Sequence, residues 1–121
     1  MKEDIISLKT AKLAKEMGFP SINTGLNKMY TEEGHFYNSV GPTFDESSSY
    51  QAPTQSLLQK WLREEHLIHI EILLSEESPY NMFYYRIMQT GKYFTLSHNG
   101  IYKNNYEEVL EKGLQEALKL I

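Results

Sequence analysis

The chain has no cysteine, and that single absence removes disulfides, thiol nucleophiles, thiol redox chemistry and cysteine-ligated zinc together. It also has no long apolar run. Its hydrophobic stretches are a few residues each, against the ~20 that a membrane-crossing helix needs, so no span is expected. Positive charge is in deficit: 12 Lys and Arg stand against 16 Asp and Glu, for a net charge of -4. That balance weakens a broad phosphate-binding surface and leaves only local basic patches. No glycine-rich phosphate cradle and no G-x-S-x-G elbow occurs. The opening Met1–Ile6 carries acids where a secretory signal carries bases, and a cytoplasmic location is expected.

What is present suits one ordinary domain. The 121 residues are 40% hydrophobic and 23% charged, a globular composition for a chain long enough to bury roughly two thirds of its unfolded surface. Ser7 is placed to cap a helix over Leu8–Met17, which Gly18, Phe19 and Pro20 then stop. Leu8, Ala11, Ala14 and Met17 give that helix a small-residue apolar face. Lys28-Met29-Tyr30 and Phe36-Tyr37-Asn38 flank a loop in which Gly34 can take a positive φ, so a short hairpin is expected. The segment 39–51 is turn-rich and serine-rich and is read as a flexible connector.

From residue 52 the signals strengthen. Pro53 suits a first helical position, and the pattern predicts a helix over 54–65 with Leu57, Leu58, Trp61 and Leu62 as core, and with Gln55, Gln59, Lys60, Arg63 and Glu64 solvated. Within a few residues the period changes from helical to alternating, with Ile68, Ile70, Ile72 and Leu74 on one side of a strand. A second strand follows over 80–89. Thr90-Gly91 and Asn99-Gly100 are read as tight turns of an antiparallel meander. Asn105 caps a last helix over 105–120, whose face runs through Tyr106, Val109, Leu110, Gly113, Leu114, Ala117, Leu118 and Ile121. The expected fold is α+β: a three- to four-stranded antiparallel meander packed by helices 54–65 and 105–120 in a core of 52–121, with an N-terminal helix and hairpin (7–38) as an appendage. Leu57, Leu58, Trp61, Leu62, Ile70, Ile72, Leu110, Leu114 and Leu118 form the expected core.

Chemistry-bearing patterns are few. His66 and His69 are spaced H-x-x-H beside Glu65 and Glu71, but one ends a helix and the other has strand parity opposite to the core isoleucines, so their side chains need not converge. No metal and no cofactor is expected. The carboxylate pairs Glu32-Glu33, Glu64-Glu65, Glu76-Glu77 and Glu107-Glu108 are adjacent in sequence and diverge on a helix or loop. Leu13–Phe19 imitates the first half of a helix-turn-helix, but Pro20, Thr24, Gly25 and Asn27 break the second half. Helix, three strands, helix from Pro53 also matches the order of a double-stranded-RNA-binding domain, whose last helix opens with bases where this one opens Tyr106-Glu107-Glu108.

The remaining feature is a surface. On the second strand Phe83, Tyr85 and Ile87 share one side and Met82, Tyr84, Arg86 and Met88 the other, and neither side is plainly polar. Either the N-terminal helix and hairpin cover the second side, or Met82, Tyr84, Arg86 and Met88 form an interface with a second copy or another protein.

Ala52–Glu64 and Tyr106–Ile121, with Thr10–Lys15 and Gly18-Phe19, resemble a group of small uncharacterised proteins of phages, prophages and mobile elements of gut anaerobic bacteria. The resemblance implies kinship and carries over no activity, cofactor or catalytic residue. The leading expectation is therefore a small non-catalytic binding module. An accessory nucleic-acid binder using Lys9, Lys12 and Lys15 is the second, and a hydrolase with a dispersed site the third.

Overall fold

The computed structural model describes residues 4–20, 26–40, 49–76, 82–89 and 96–121. In chain order these form α1 (Leu8–Glu16), β1 (Leu26–Thr31), β2 (Phe36–Val40), β3 (Ser49–Gln51), α2 (Gln55–His66), β4 (Ile68–Leu74), β5 (Phe83–Gln89), β6 (Leu96–Lys103) and α3 (Tyr106–Leu118). The fold is α+β, with two three-stranded antiparallel sheets ordered β2-β1-β3 and β4-β5-β6.

Local chemistry accounts for most element ends. The Ser7 hydroxyl accepts the Thr10 N–H at 3.3 Å at the start of α1. At the other end Gly18 has φ +96°, its N–H bonds the Lys15 carbonyl at 3.2 Å, and the Phe19 N–H bonds the Ala14 carbonyl at 2.9 Å. These are the paired bonds of a Schellman stop. They deliver the Phe19 ring edge-on to Trp61, with centroids 5.2 Å apart. In the hairpin, Lys28, Met29 and Tyr30 pair with Asn38, Tyr37 and Phe36, and Gly34 has φ +96°.

The connector reading fails at both of its ends. Ser39 and Val40 belong to β2, and Ser49–Gln51 form β3, which pairs with Met29–Thr31 on the free edge of β1. A backbone that can complete a sheet satisfies its amides there whatever its serine content. Residues 41–48 and the Thr90-Gly91 turn lie outside the described residues.

Pro53 precedes α2 by two positions instead of opening it. Its carbonyl accepts the Ile6 N–H at 3.0 Å, the Gln55 N–H bonds the Asp4 carbonyl at 2.9 Å, and Thr54 becomes the N-cap. The extended pairing with Asp4–Ile6 holds Pro53 and Thr54 out of the helix. The buried stripe of α2 is Gln55, Leu58 and Leu62, at spacings of three and four. Leu57, expected in the core, lies on the flank and is 37% exposed. Trp61, on the same flank, packs against the core beneath Phe19 and His66. Gln55 and Gln59, expected in solvent, are structural: Gln55 is buried, and the Gln59 side chain donates to the Ile70 carbonyl at 2.9 Å.

In the second sheet Ile70 stands opposite Ile87, and Ile72 opposite Tyr85. Asn99-Gly100 is no turn. Both residues lie within β6 opposite Arg86 and Tyr85, and a register shift between Tyr85 and Phe83 places Lys103 opposite Phe83. Glycine next to a bulge relieves the local bend, which is the other standing meaning of a glycine in a strand.

One apolar cluster joins Ile6, Ala11 and Ala14 to Leu58 and Leu62 of α2, to Ile68, Ile70, Tyr85 and Ile87 of the second sheet, and to Val109, Leu110, Leu114, Ala117 and Leu118 of α3. The N-terminal helix is therefore part of the core, not an appendage: it packs on α3 and β3. Each fully buried Leu or Ile contributes roughly 1.5–3 kcal/mol of transfer free energy before chain entropy is counted. Ile72 is only partly buried at the edge of this cluster.

Candidate functional site

Alternation along β4 and β5 sorts their side chains into two faces. Ile68, Ile70, Tyr85 and Ile87 turn to the helices and are buried. His69, Glu71 and Leu73 turn the other way, opposite Met88, Arg86 and Tyr84 respectively. All six are partly exposed. Among the described residues, the helices that pack closely on β4 and β5 are α2 and α3, and both stand on the buried side. Among the described residues, neither the N-terminal helix nor the first sheet packs closely on β4, β5 or β6.

At the centre of this face the Arg86 guanidinium donates to Glu71 through Nη2–Oε2 at 2.6 Å, with the two side chains 41% and 39% exposed. Cross-strand neighbours of opposite charge are favourable on a sheet. Among the described residues the Nε of the same guanidinium is buried and meets no acceptor. Met82 lies just before β5, where its carbonyl accepts the Ser75 N–H at 2.8 Å. Tyr84, Arg86 and Met88 therefore share the outer face as strand parity anticipates. Their cross-strand partners His69, Glu71 and Leu73 were legible only as the other parity of β4, because the register that brings the two sets together is non-local.

A concavity of about 360 Å³ is lined by Asp4, Ser7, Tyr30, Gln55, Asn105, Glu107, Glu108 and Glu111, among others. It is one place among the described residues where carboxylates, a hydroxyl and an amide come together. Its central groups are already engaged. Glu111 Oε2 accepts from the Ser7 N–H and hydroxyl, each at 3.0 Å, and from the Thr10 hydroxyl. Glu111 Oε1 accepts from the Gln55 amide at 3.0 Å, and that amide also donates to the Glu107 carbonyl at 3.0 Å. Gln115 closes the cluster by donating to Thr10 at 3.1 Å. The Tyr30 hydroxyl donates to the Ile6 carbonyl at 2.9 Å, and burial, then the Glu111 charge, pushes its ionisation above the ordinary tyrosine range. The phenol stays a donor to a carbonyl. This arrangement clamps three chain segments and commits Glu111, Gln55 and Tyr30 to internal hydrogen bonds.

The lysines of α1 meet aromatic and acidic neighbours. Lys12 and Lys15 lie over the Tyr50 ring at 5.5 and 5.0 Å from its centroid, Lys12 pairs with Glu32 at 3.4 Å, and Lys15 donates to the Ser49 carbonyl at 3.0 Å. The Tyr50 hydroxyl donates to Glu32. A nucleic-acid phosphate arriving here meets a carboxylate between the two cations.

His66 packs edge-on against Trp61 at 4.6 Å, while His69 stands on the outer face of β4 opposite Met88. Among the described residues no group of three His, Asp or Glu side chains is arranged to hold a metal ion, and no helix is long and apolar enough to cross a membrane. Comparison of the chain with protein-family models, with curated proteins and with solved structures gives no match.

Proposed function

We propose that the protein is a small non-catalytic interaction module that binds a protein partner through the outer face of the β4-β5-β6 sheet. The observation that carries this reading is that the face is left uncovered by the described elements although Leu73, Tyr84 and Met88 contribute apolar surface to it. Tyrosine, methionine and arginine are the residue types enriched in protein interfaces, and a sheet face of this composition is stabilised by being covered. The engagement of Glu111, Tyr30 and Gln55 in internal hydrogen bonds gives them a structural role in the concavity they line. A cytoplasmic setting and kinship with small phage and mobile-element proteins belong to the same proposal and rest on the sequence alone.

The test is site-specific photocrosslinking in cells. A benzophenone side chain in place of Tyr84 is expected to form a covalent adduct with a polypeptide, and the same probe in place of Lys60, which is exposed on α2, is expected to form none. Equal labelling from both positions, or none from either, overturns the reading.

A further inference from the structure

We infer that the partner of the outer face is a second copy of this chain, stacked face to face about a two-fold axis that runs parallel to the strands, between β4 and β5. The inference rests on the interaction reading above and names its partner.

The argument is one of self-complementarity. The face consists of three cross-strand rows, His69 with Met88, Glu71 with Arg86, and Leu73 with Tyr84. In an isologous pair each residue meets the one that meets it in return. A two-fold axis parallel to the strands and midway between β4 and β5 exchanges those strands at constant height. It therefore lays β4 of one copy over β5 of the other, with each row facing itself reversed. Glu71 then lies under Arg86 of the second copy and Arg86 under its Glu71, so the four charges alternate around a square. Leu73 meets Tyr84, which puts apolar surface on apolar surface, and the His69 ring meets the Met88 thioether. The other in-plane axis, perpendicular to the strands, would stack Arg86 on Arg86 and Glu71 on Glu71, and like charges facing each other reject it.

Within the chain Arg86 Nη2 is held by Glu71 and the side chain is 41% exposed, and an arginine fork is suited to serving two carboxylates. The charge balance of the face, one acid and one base, also fits a copy of itself better than a strongly acidic or basic partner. Three rows make a small interface, so the pairing is expected to depend on concentration.

Three measurements test this on the full chain. By light scattering at about 100 µM, a concentration at which an interface of Kd ~10 µM is mostly paired, the wild type is expected at twice its 14.1 kDa mass. Glu71→Arg gives a face with two positive charges and Arg86→Glu one with two negative charges. Each variant alone is expected to be monomeric, and an equimolar mixture to recover the double mass, because the opposite faces then match. The Tyr84 photoprobe is expected to label residues 72–74 of a second copy. A monomeric wild type overturns the inference, as does a dimer that the charge variants leave intact or one labelled elsewhere. If a charge variant fails to fold by circular dichroism, the wild-type mass and the labelled position decide alone. A monomer whose Tyr84 probe labels a different protein overturns self-pairing and leaves the interaction reading standing; a monomer with no labelling from that face removes both.

Discussion

Glu111 on α3 caps α1 from across the chain: its Oε2 accepts the Ser7 N–H and the Ser7 hydroxyl, each at 3.0 Å, although the two residues are 104 positions apart. A carboxylate at a helix N-terminus answers both the open amides and the positive end of the dipole. Here the same group also receives the Thr10 hydroxyl and the Gln55 amide. Its removal leaves several partly buried donors without an acceptor at once. Glu111→Ala is expected to lower unfolding free energy by about 2–3 kcal/mol, given the usual cost of charged hydrogen bonds. Urea denaturation measures it, and a loss below about 0.5 kcal/mol, the range of ordinary surface substitutions, refutes the clamp.

The Tyr50–Glu32 contact gives a pH dependence whose sign follows from its geometry. The Tyr50 hydroxyl first, then Lys12 and Lys15, hold the Glu32 carboxyl below the usual carboxylate range, and Glu32 in turn raises Tyr50. A depressed carboxyl contributes stability that is present above its unfolded pKa and is lost as pH falls through the folded value. A raised phenol contributes stability below its unfolded pKa and loses it as pH rises through the folded value. Both groups are on the surface, where solvent screens the effect. Titrating the Glu32 side-chain carbon by NMR in Tyr50→Phe is expected to show its pKa moving upward. An unchanged Glu32 titration contradicts the hydrogen bond.

How legible this molecule is in its sequence depends on how local each cause is. Ser7, Gly18, Gly34 and Asn105 act on backbone a few residues away, and the elements they bound are where the spacing predicts. The faces of β5 follow from parity alone, so Tyr84, Arg86 and Met88 were readable as one side of a sheet. Register is a property of two strands at once. Neither the Glu71–Arg86 pair nor the place of Asn99-Gly100 inside β6 can be read from one segment. The Glu111 cluster joins α1, α2 and α3, and polar residues that satisfy one another look individually like solvated surface. The same blindness assigned Gln55 to solvent and Leu57 to the core.

That exchange on α2 is itself measurable. Leu58 is fully buried and Leu57 is 37% exposed, although the two are adjacent and chemically identical. Leu58→Ala is expected to cost about 2–5 kcal/mol, as cavity-forming substitutions do, and Leu57→Ala under about 1 kcal/mol, because most of its transfer term is not realised. Equal losses in thermal or urea unfolding would show that the two share the core after all.

Gly113 sets how closely α3 lies on the second sheet. A Cβ built there would stand 3.1 Å from Ile70 Cγ2 and 3.3 Å from Tyr85 Cβ, closer than ordinary van der Waals contact. In a helix interior alanine is favoured over glycine by about 1 kcal/mol, so propensity alone predicts a gain from Gly113→Ala. The contacts oppose it. The Tyr85 Cβ is fixed by its own backbone, and Ile70 is β-branched with little rotamer freedom in which to withdraw. Relief must come from moving α3 off β4 and β5, which loosens the packing of Leu110, Leu114 and Ala117 on either side. Gly113→Ala is therefore expected to lose about 1 kcal/mol net and Gly113→Leu about 3 kcal/mol, within the range for overpacked cores. A rise in melting temperature for the alanine variant would mean that the sheet yields, and that glycine is not what holds the helix at this distance.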